Sequence, residues 1–174
     1  MRSLFNACWR REALAVAAMA WLGVAAPATA LGADGGYRVM AALAQEEGDE
    51  LNGEPVRGAA GELYLTARSG GEHGHGAVVR VSAAGEVSVL HAFRNRRDGG
   101  APKGGLVRGA DGWLYGSTRG GGDHSQGALY KVSPDGRFKP LYSLRRFEDG
   151  AFPGKLLLAS DGNFYGAAES GGAT

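Results

Sequence analysis

The chain has 174 residues, 44% of them hydrophobic and 21% charged, with a formal net charge of +1. That balance argues against wholesale disorder, and so small a net charge supplies no electrostatic footprint for nucleic acid or an anionic membrane. Glycine is the outlier: 31 residues, against a usual share of about 7%, call for many turns rather than long helices.

Residues 1–30 read as an export signal. Arg2, Arg10 and Arg11 form a positive first region, the apolar run lies within EALAVAAMAWLGVAA, and Ala28-Thr29-Ala30 supplies a small-x-small cleavage pattern. The run is shorter than the about 20 apolar residues a membrane-spanning helix needs, so cleavage rather than anchoring is expected, with no membrane association afterwards. The surroundings of Arg10-Arg11 fit a twin-arginine signal poorly, which favours the general secretory route. Cys8 precedes the apolar run and is the sole cysteine, so the segment from Leu31 onward has no disulfide, thiol nucleophile or cysteine–zinc site. The expected location is extracellular or periplasmic.

From Leu31 onward the sequence repeats itself. VRGAAGELYLTARSGG at 56–71, VRGADGWLYGSTRGGG at 107–122 and LLASDGNFYGAAESGG at 157–172 align without gaps, and Tyr64, Tyr115 and Tyr165 are 51 and 50 residues apart. The same interval carries Gly76-Ala-Val-Val-Arg-Val-Ser onto Gly127-Ala-Leu-Tyr-Lys-Val-Ser, and Leu90-His-Ala-Phe onto Leu141-Tyr-Ser-Leu. It also carries Asp98-Gly99 onto Asp149-Gly150 and Pro102 onto Pro153. One interval further back, Val39-Met-Ala-Ala falls under Leu90-His-Ala-Phe. The spacing predicts a last strand and connection over 31–50, a first repeat over 51–101, a second over 102–152 and a partial third over 153–174.

Each full repeat breaks into four short strand-like pieces; in the second these lie around GGLVRG, WLYGST, GALYKVS and FKPLYSL. Asp111-Gly112 and Asp135-Gly136 separate pairs of them, and Asp-Gly marks a tight hairpin turn because it tolerates positive φ. Four antiparallel strands per unit of about 50 residues is the pattern of a β-propeller blade. The fold class is therefore all-β, built from propeller-type blades, about two and a half of them. Rings need about four to eight blades, so an incomplete, open arc is expected, with edges that favour self-association. A nine-residue glycine-rich β-roll is the rival, but Gly120-Gly121-Gly122-Asp123 is not repeated in tandem.

GLVRGADGWLYGSTRGGG, GALYKVSPDG, LYSL and DGAFPGKLLLASDGNFYGAAESGG together resemble the GloVer-type, or Gloeo/Verruco, repeats of extracellular bacterial proteins over nearly all of residues 51–174. The resemblance implies an exported bacterial protein with propeller-like blades and no settled reaction.

The strongest candidates for chemistry are two acid–histidine pairs at one repeat position. Glu72-His73 aligns with Asp123-His124 in glycine-rich loops, with His75 two residues beyond the first pair. A carboxylate beside an imidazole suits a ligand, a divalent metal or acid–base work, but the third repeat has Ala173 and Thr174 there, which breaks a ring of ligands. Solvated loop residues are the plainer reading, and no metal or other cofactor is expected. Tyr64, Tyr115 and Tyr165 suit either a sugar-stacking platform or packing between blades, with packing favoured, while Trp113 and Phe164 vary as surface positions would. Arg94-Asn95-Arg96-Arg97 and Arg145-Arg146 occupy equivalent connections and suit either an acidic ligand or solvent. No nucleophile elbow, phosphate loop, HExxH or EF-hand pattern occurs after the signal. The reading that follows is an exported binding or interaction module with no assignable reaction, whose partner is a cell-surface or extracellular ligand such as a glycan. Two others stand beside it: a propeller lyase or hydrolase with its site at the channel mouth, and a piece of a longer repeat protein.

Overall fold

The computed structural model describes residues 13–18 and 37–173, and every regular element among them is a strand. The strands are β1 (Ala13–Ala18), β2 (Tyr37–Leu43), β3 (Asp49–Arg57), β4 (Leu63–Ser69), β5 (Ala77–Val81) and β6 (Val87–Ala92). They continue with β7 (Gly100–Arg108), β8 (Leu114–Gly120), β9 (Ala128–Val132), β10 (Phe138–Ser143), β11 (Ala151–Leu158) and β12 (Phe164–Ser170). The arginines of the expected export signal, Cys8, the expected cleavage pattern at 28–30 and Thr174 lie outside the described residues. Within the apolar run at that end of the chain, β1 pairs in parallel with β2.

Strands β3 to β6 form one antiparallel sheet in chain order, β7 to β10 a second, and β11 with β12 a hairpin of the same design. These are propeller-type sheets in an arc that does not close among the described residues. The innermost strands β3, β7 and β11 lie side by side, and each carries a register shift at the same place: Asn52/Val56, Pro102/Leu106 and Pro153/Leu156. A bulge of this kind bends a strand and adds to its twist.

One turn closes five hairpins. In the loop after β7, the Gly109 N–H donates to the Trp113 carbonyl at 2.8 Å and the Gly112 N–H to the Gly109 carbonyl at 3.0 Å. Gly112 has φ +79°, while Asp111 stays out of the left-handed region. The turn is thus the three-residue form in which a glycine makes the bulge, rather than a two-residue turn with both central residues at positive φ. Gly61, Gly85, Gly136 and Gly162 hold the same position, each with φ between 82 and 90°. Asp111 contributes differently from the sequence expectation: its Oδ1 accepts the Trp113 N–H at 3.2 Å.

The apolar core lies between sheets. Met40, Ala41 and Leu43 of β2 pack on Leu63, Leu65, Val79 and Val81 of the first sheet. Tyr64, Val78 and Phe93 of the first sheet pack on Leu106, Leu114, Tyr130 and Val132 of the second. Phe93 meets Tyr130 edge-on at 5.1 Å, and His91 stacks flat on Phe138 at 3.6 Å. The two sheets fill one cross-strand pair in opposite ways. Leu65 faces Val79 in the first, whereas Gly116 faces Tyr130 in the second. The Tyr130 ring lies over the space that a side chain at Gly116 would need.

The Tyr130 hydroxyl is fully buried and has no hydrogen-bond partner among the described residues, and burial pushes its pKa far up. A buried hydroxyl without a partner costs about 1–3 kcal/mol. Tyr130→Phe is therefore expected to raise the unfolding free energy by about 1 kcal/mol, read from a urea titration. A loss of stability would show that the hydroxyl is satisfied after all.

Neighbouring sheets are also latched through backbone. Glu50, Ala101 and Phe152 hold one repeat position and all have positive φ, 52, 50 and 58°. The Ala101 N–H donates to the His75 carbonyl at 2.8 Å and the Phe152 N–H to the Gln126 carbonyl at 2.9 Å. A left-handed conformation costs a non-glycine residue about 1–2 kcal/mol, which at Ala101 and Phe152 this contact between sheets helps offset, while the Glu50 N–H donates to Asp49 Oδ1 at 2.8 Å.

Candidate functional site

In an antiparallel meander, alternate connections emerge at the same end. The β4–β5, β6–β7, β8–β9 and β10–β11 connections therefore share one face of the arc, and the tight hairpins share the other. The acid–histidine pairs and the arginine clusters all lie on this face.

There they engage one another across connections. The His73 Nε2 accepts from the Arg94 Nε at 2.9 Å, while the Glu72 carboxylate stands 3.9 Å away and exposed. The Asp123 carboxylate pairs with Arg97 at 3.1 Å, so two residues of the Arg94–Arg97 cluster are already occupied by these loops. His124 is held through its backbone, with its N–H donating to the Ser143 hydroxyl at 3.3 Å and its carbonyl accepting from the Gln126 Nε2 at 3.3 Å. Glu72-His73 and Asp123-His124 are equivalent in sequence but not in partners. Among the described residues, no group of three or more His, Cys, Asp or Glu is placed to hold a metal ion.

Beneath each arginine connection lies a second pair. His91 Nε2 stands 3.2 Å from Asp98 Oδ2, and one repeat on, the Tyr142 hydroxyl donates to Asp149 Oδ2 at 2.7 Å. Both carboxylates also accept the first N–H of their connection, from Arg94 at 2.9 Å and Arg145 at 3.0 Å. Aspartates 98 and 149 therefore shape these loops. The alignment shows all four residues at one interval, and only the sheet register shows that they pair.

Burial pushes the His91 pKa below its ordinary 6.5, with the Asp98 hydrogen bond opposing the shift. A folded pKa below the unfolded one means that the unfolded chain takes the proton first. The stability contribution is then full above pH 6.5 and is lost as the pH falls from there toward the folded pKa. In urea titrations between pH 8 and about pH 5, His91→Phe is expected to flatten that slope relative to the wild type. Parallel curves for the two proteins would place the slope elsewhere.

The repeated tyrosines are capped by carboxylates. Tyr115 donates to Asp111 Oδ2 and Tyr165 to Asp161 Oδ2, both at 2.8 Å, while Tyr64 donates to Glu62 Oε1 at 3.0 Å. The first repeat has Ala60 where the others have aspartate, and Glu62 supplies the carboxylate from two residues further along. Tyr64 is buried between sheets, and Tyr115 stacks on Phe164 at 4.2 Å. Phe164 is thus an inter-sheet contact rather than a variable surface position. Trp113 takes the Lys131 ammonium over its ring at 4.6 Å.

One feature of the loop face has no counterpart in the sequence expectations. Phe147, in the β10–β11 connection, is 83% exposed. It borders an open groove of about 520 Å³ with His124, Gln126, Arg145, Arg146 and Glu148. Arg145 is oriented by Glu148 at 2.7 Å and by the Tyr142 hydroxyl at 3.1 Å. The groove thus sets an exposed apolar ring beside hydrogen-bonding and charged side chains.

A model of the Gloeobacter/Verrucomicrobia repeat matches residues 30–174. No curated protein matches the chain. Among solved structures, the chain is similar to selenomethionine-substituted virginiamycin B lyase from Staphylococcus aureus, with 17% identity and a TM-score of 0.44 over 65% of this chain and 33% of that one. The chain thus spans about a third of the length of that structure.

Proposed function

Because the chain belongs to the Gloeobacter/Verrucomicrobia repeat family, a repeat protein whose units form the sheets described above, we propose that it is an exported binding module that takes a glycan in the groove beside Phe147. The observation that carries this reading is the exposed Phe147 ring set among His124, Gln126, Arg145, Arg146 and Glu148. A sugar presents an apolar C–H face and a rim of hydroxyls, which suit an aromatic plane and planar polar side chains respectively. His124 enters this reading as a groove residue, apart from its sequence neighbour Asp123, which is turned to Arg97.

Export follows from the signal read in residues 1–30, and N-terminal sequencing of the extracellular protein is expected to begin at Leu31. Cleavage there also removes β1 and bares the edge of β2 that it covers. On a glycan array probed with the exported chain, Phe147→Ala is expected to weaken the best hit at least about tenfold, a loss of about 1.4 kcal/mol, with an unchanged urea midpoint. His124→Ala is expected to weaken it by a smaller factor. Wild-type binding by Phe147→Ala would sink the groove as the site.

A further inference from the structure

The groove beside Phe147 has a counterpart in the first sheet, and there the gap is bridged. Each gap lies between two connections of one sheet: β4–β5 and β6–β7 in the first, β8–β9 and β10–β11 in the second. In the first, the Arg94 Nε donates across the gap to His73 Nε2 at 2.9 Å. In the second, the equivalent Arg145 turns away from His124. All its nitrogens are engaged on its own side: Nη1 with Glu148 at 2.7 Å, Nη2 with the Tyr142 hydroxyl at 3.1 Å and Nε with Asp149 at 3.4 Å. Two exchanges between repeats account for this, because Glu148 stands at the position of Arg97 and Tyr142 at that of His91. The His124 imidazole is left without a hydrogen-bond partner among the described residues, its residue being held through backbone alone.

Exposure here is a property of the connection itself. Residues 94–97 are exposed as well, although a complete second sheet follows them. The segment after β12 already meets the β10–β11 connection, with the Gly172 N–H donating to the Arg146 carbonyl at 2.9 Å. At the position from which Asp123 reaches back to Arg97, that segment carries Ala173, which brings no charge.

Hydrogen-bonding capacity in the groove is therefore lopsided. Arg146, where the first repeat has Asn95, makes no ion pair among the described residues, and a guanidinium offers N–H donors only. The imidazole of His124 adds a further donor. Among the acceptors, Glu148 is committed to Arg145, whereas Gln126 Oε1 is buried and has no partner among the described residues. An excess of donors with one uncompensated cation fits a ligand that is rich in acceptors and negatively charged.

Building on the glycan reading of this groove, we propose that the glycan is acidic: a uronic-acid residue sets its C–H face on Phe147, and its carboxylate accepts from Arg146. The planar guanidinium matches a carboxylate through two parallel hydrogen bonds, stronger than those between neutral groups. A ring hydroxyl donates to Gln126 Oε1 and gives that buried acceptor its partner. Phe147 supplies attachment to any sugar with an apolar face, and Arg146 supplies the preference for the charged one.

Calorimetric titration with galacturonate, glucuronate and mannuronate oligosaccharides, each beside its neutral methyl ester, provides the test. At least one acid is expected to bind the exported chain at least about tenfold more tightly than its ester. Arg146→Gln is expected to bring that acid to the level of its ester, and Phe147→Ala to weaken acid and ester alike. Lys139→Gln removes the same charge from an exposed position of β10 at its hairpin end and is expected to change neither. Equal binding of acid and ester would overturn the acidic assignment. So would acid binding that Arg146→Gln leaves in place, or that Lys139→Gln weakens as much. Where a neutral glycan binds and is lost in Phe147→Ala, the groove reading survives that failure; where no glycan of either kind binds, both fall.

Discussion

Gly127→Ala is expected to lower the unfolding free energy by roughly 2–5 kcal/mol. Gly127 enters β9 with φ +100°, its N–H donating to the Gly121 carbonyl at 3.1 Å and its carbonyl accepting the Leu144 N–H at 3.0 Å. A β-carbon there would be forced against the Thr118 carbonyl oxygen and would lie 2.6 Å from Cδ of Pro153 in the next sheet. Neither obstacle is the free end of a flexible chain: one is ladder backbone and the other a ring that cannot rotate. The left-handed conformation adds about 1–2 kcal/mol for alanine, and overpacking typically adds 1–3. Gly76 stands identically against Pro102, so Gly76→Ala should behave alike. Urea titration is the direct measurement, and a loss below about 1 kcal/mol would show that the sheet junction yields more easily than its geometry implies.

Phe93→Ala is expected to cost about 3–5 kcal/mol for a different reason, the cavity it leaves. Phe93 is fully buried at the first junction between sheets, edge-on to Tyr130 at 5.1 Å, to Phe138 at 5.8 Å and to His91 at 4.9 Å. Its neighbours are held by strand backbone and by one another, so collapse into the space is limited. Because the ring joins two sheets, its loss is also expected to uncouple them, seen as a second step in the urea curve. A single transition with an unchanged slope would show that the sheets remain cooperative through their backbone latches alone.

The interval between Tyr64, Tyr115 and Tyr165 was enough to read the strands and their order, because each repeat keeps its turn glycines and alternating apolar residues in place. Pairings between different positions were not legible that way. An alignment sets Ala60 beside Asp111 and shows a lost carboxylate, whereas register shows Glu62 supplying it to Tyr64. It sets Leu65 beside Gly116 and Val79 beside Tyr130 as two unrelated changes, whereas they are one exchange of volume across a ladder. The acid–histidine pairs looked like a unit because their residues adjoin in sequence. Successive loop residues point apart, and His73 and Asp123 found their partners in a different connection, at Arg94 and Arg97. The exposure of Phe147 carries no sequence signal, because it depends on how the β10–β11 connection is folded back by Asp149.

The backbone latches at Ala101 and Phe152 give the molecule a direction. Each donates its N–H to a connection that lies earlier in the chain, Ala101 to the His75 carbonyl and Phe152 to the Gln126 carbonyl. The first turn of each of these two sheets is therefore completed by the sheet before it in sequence.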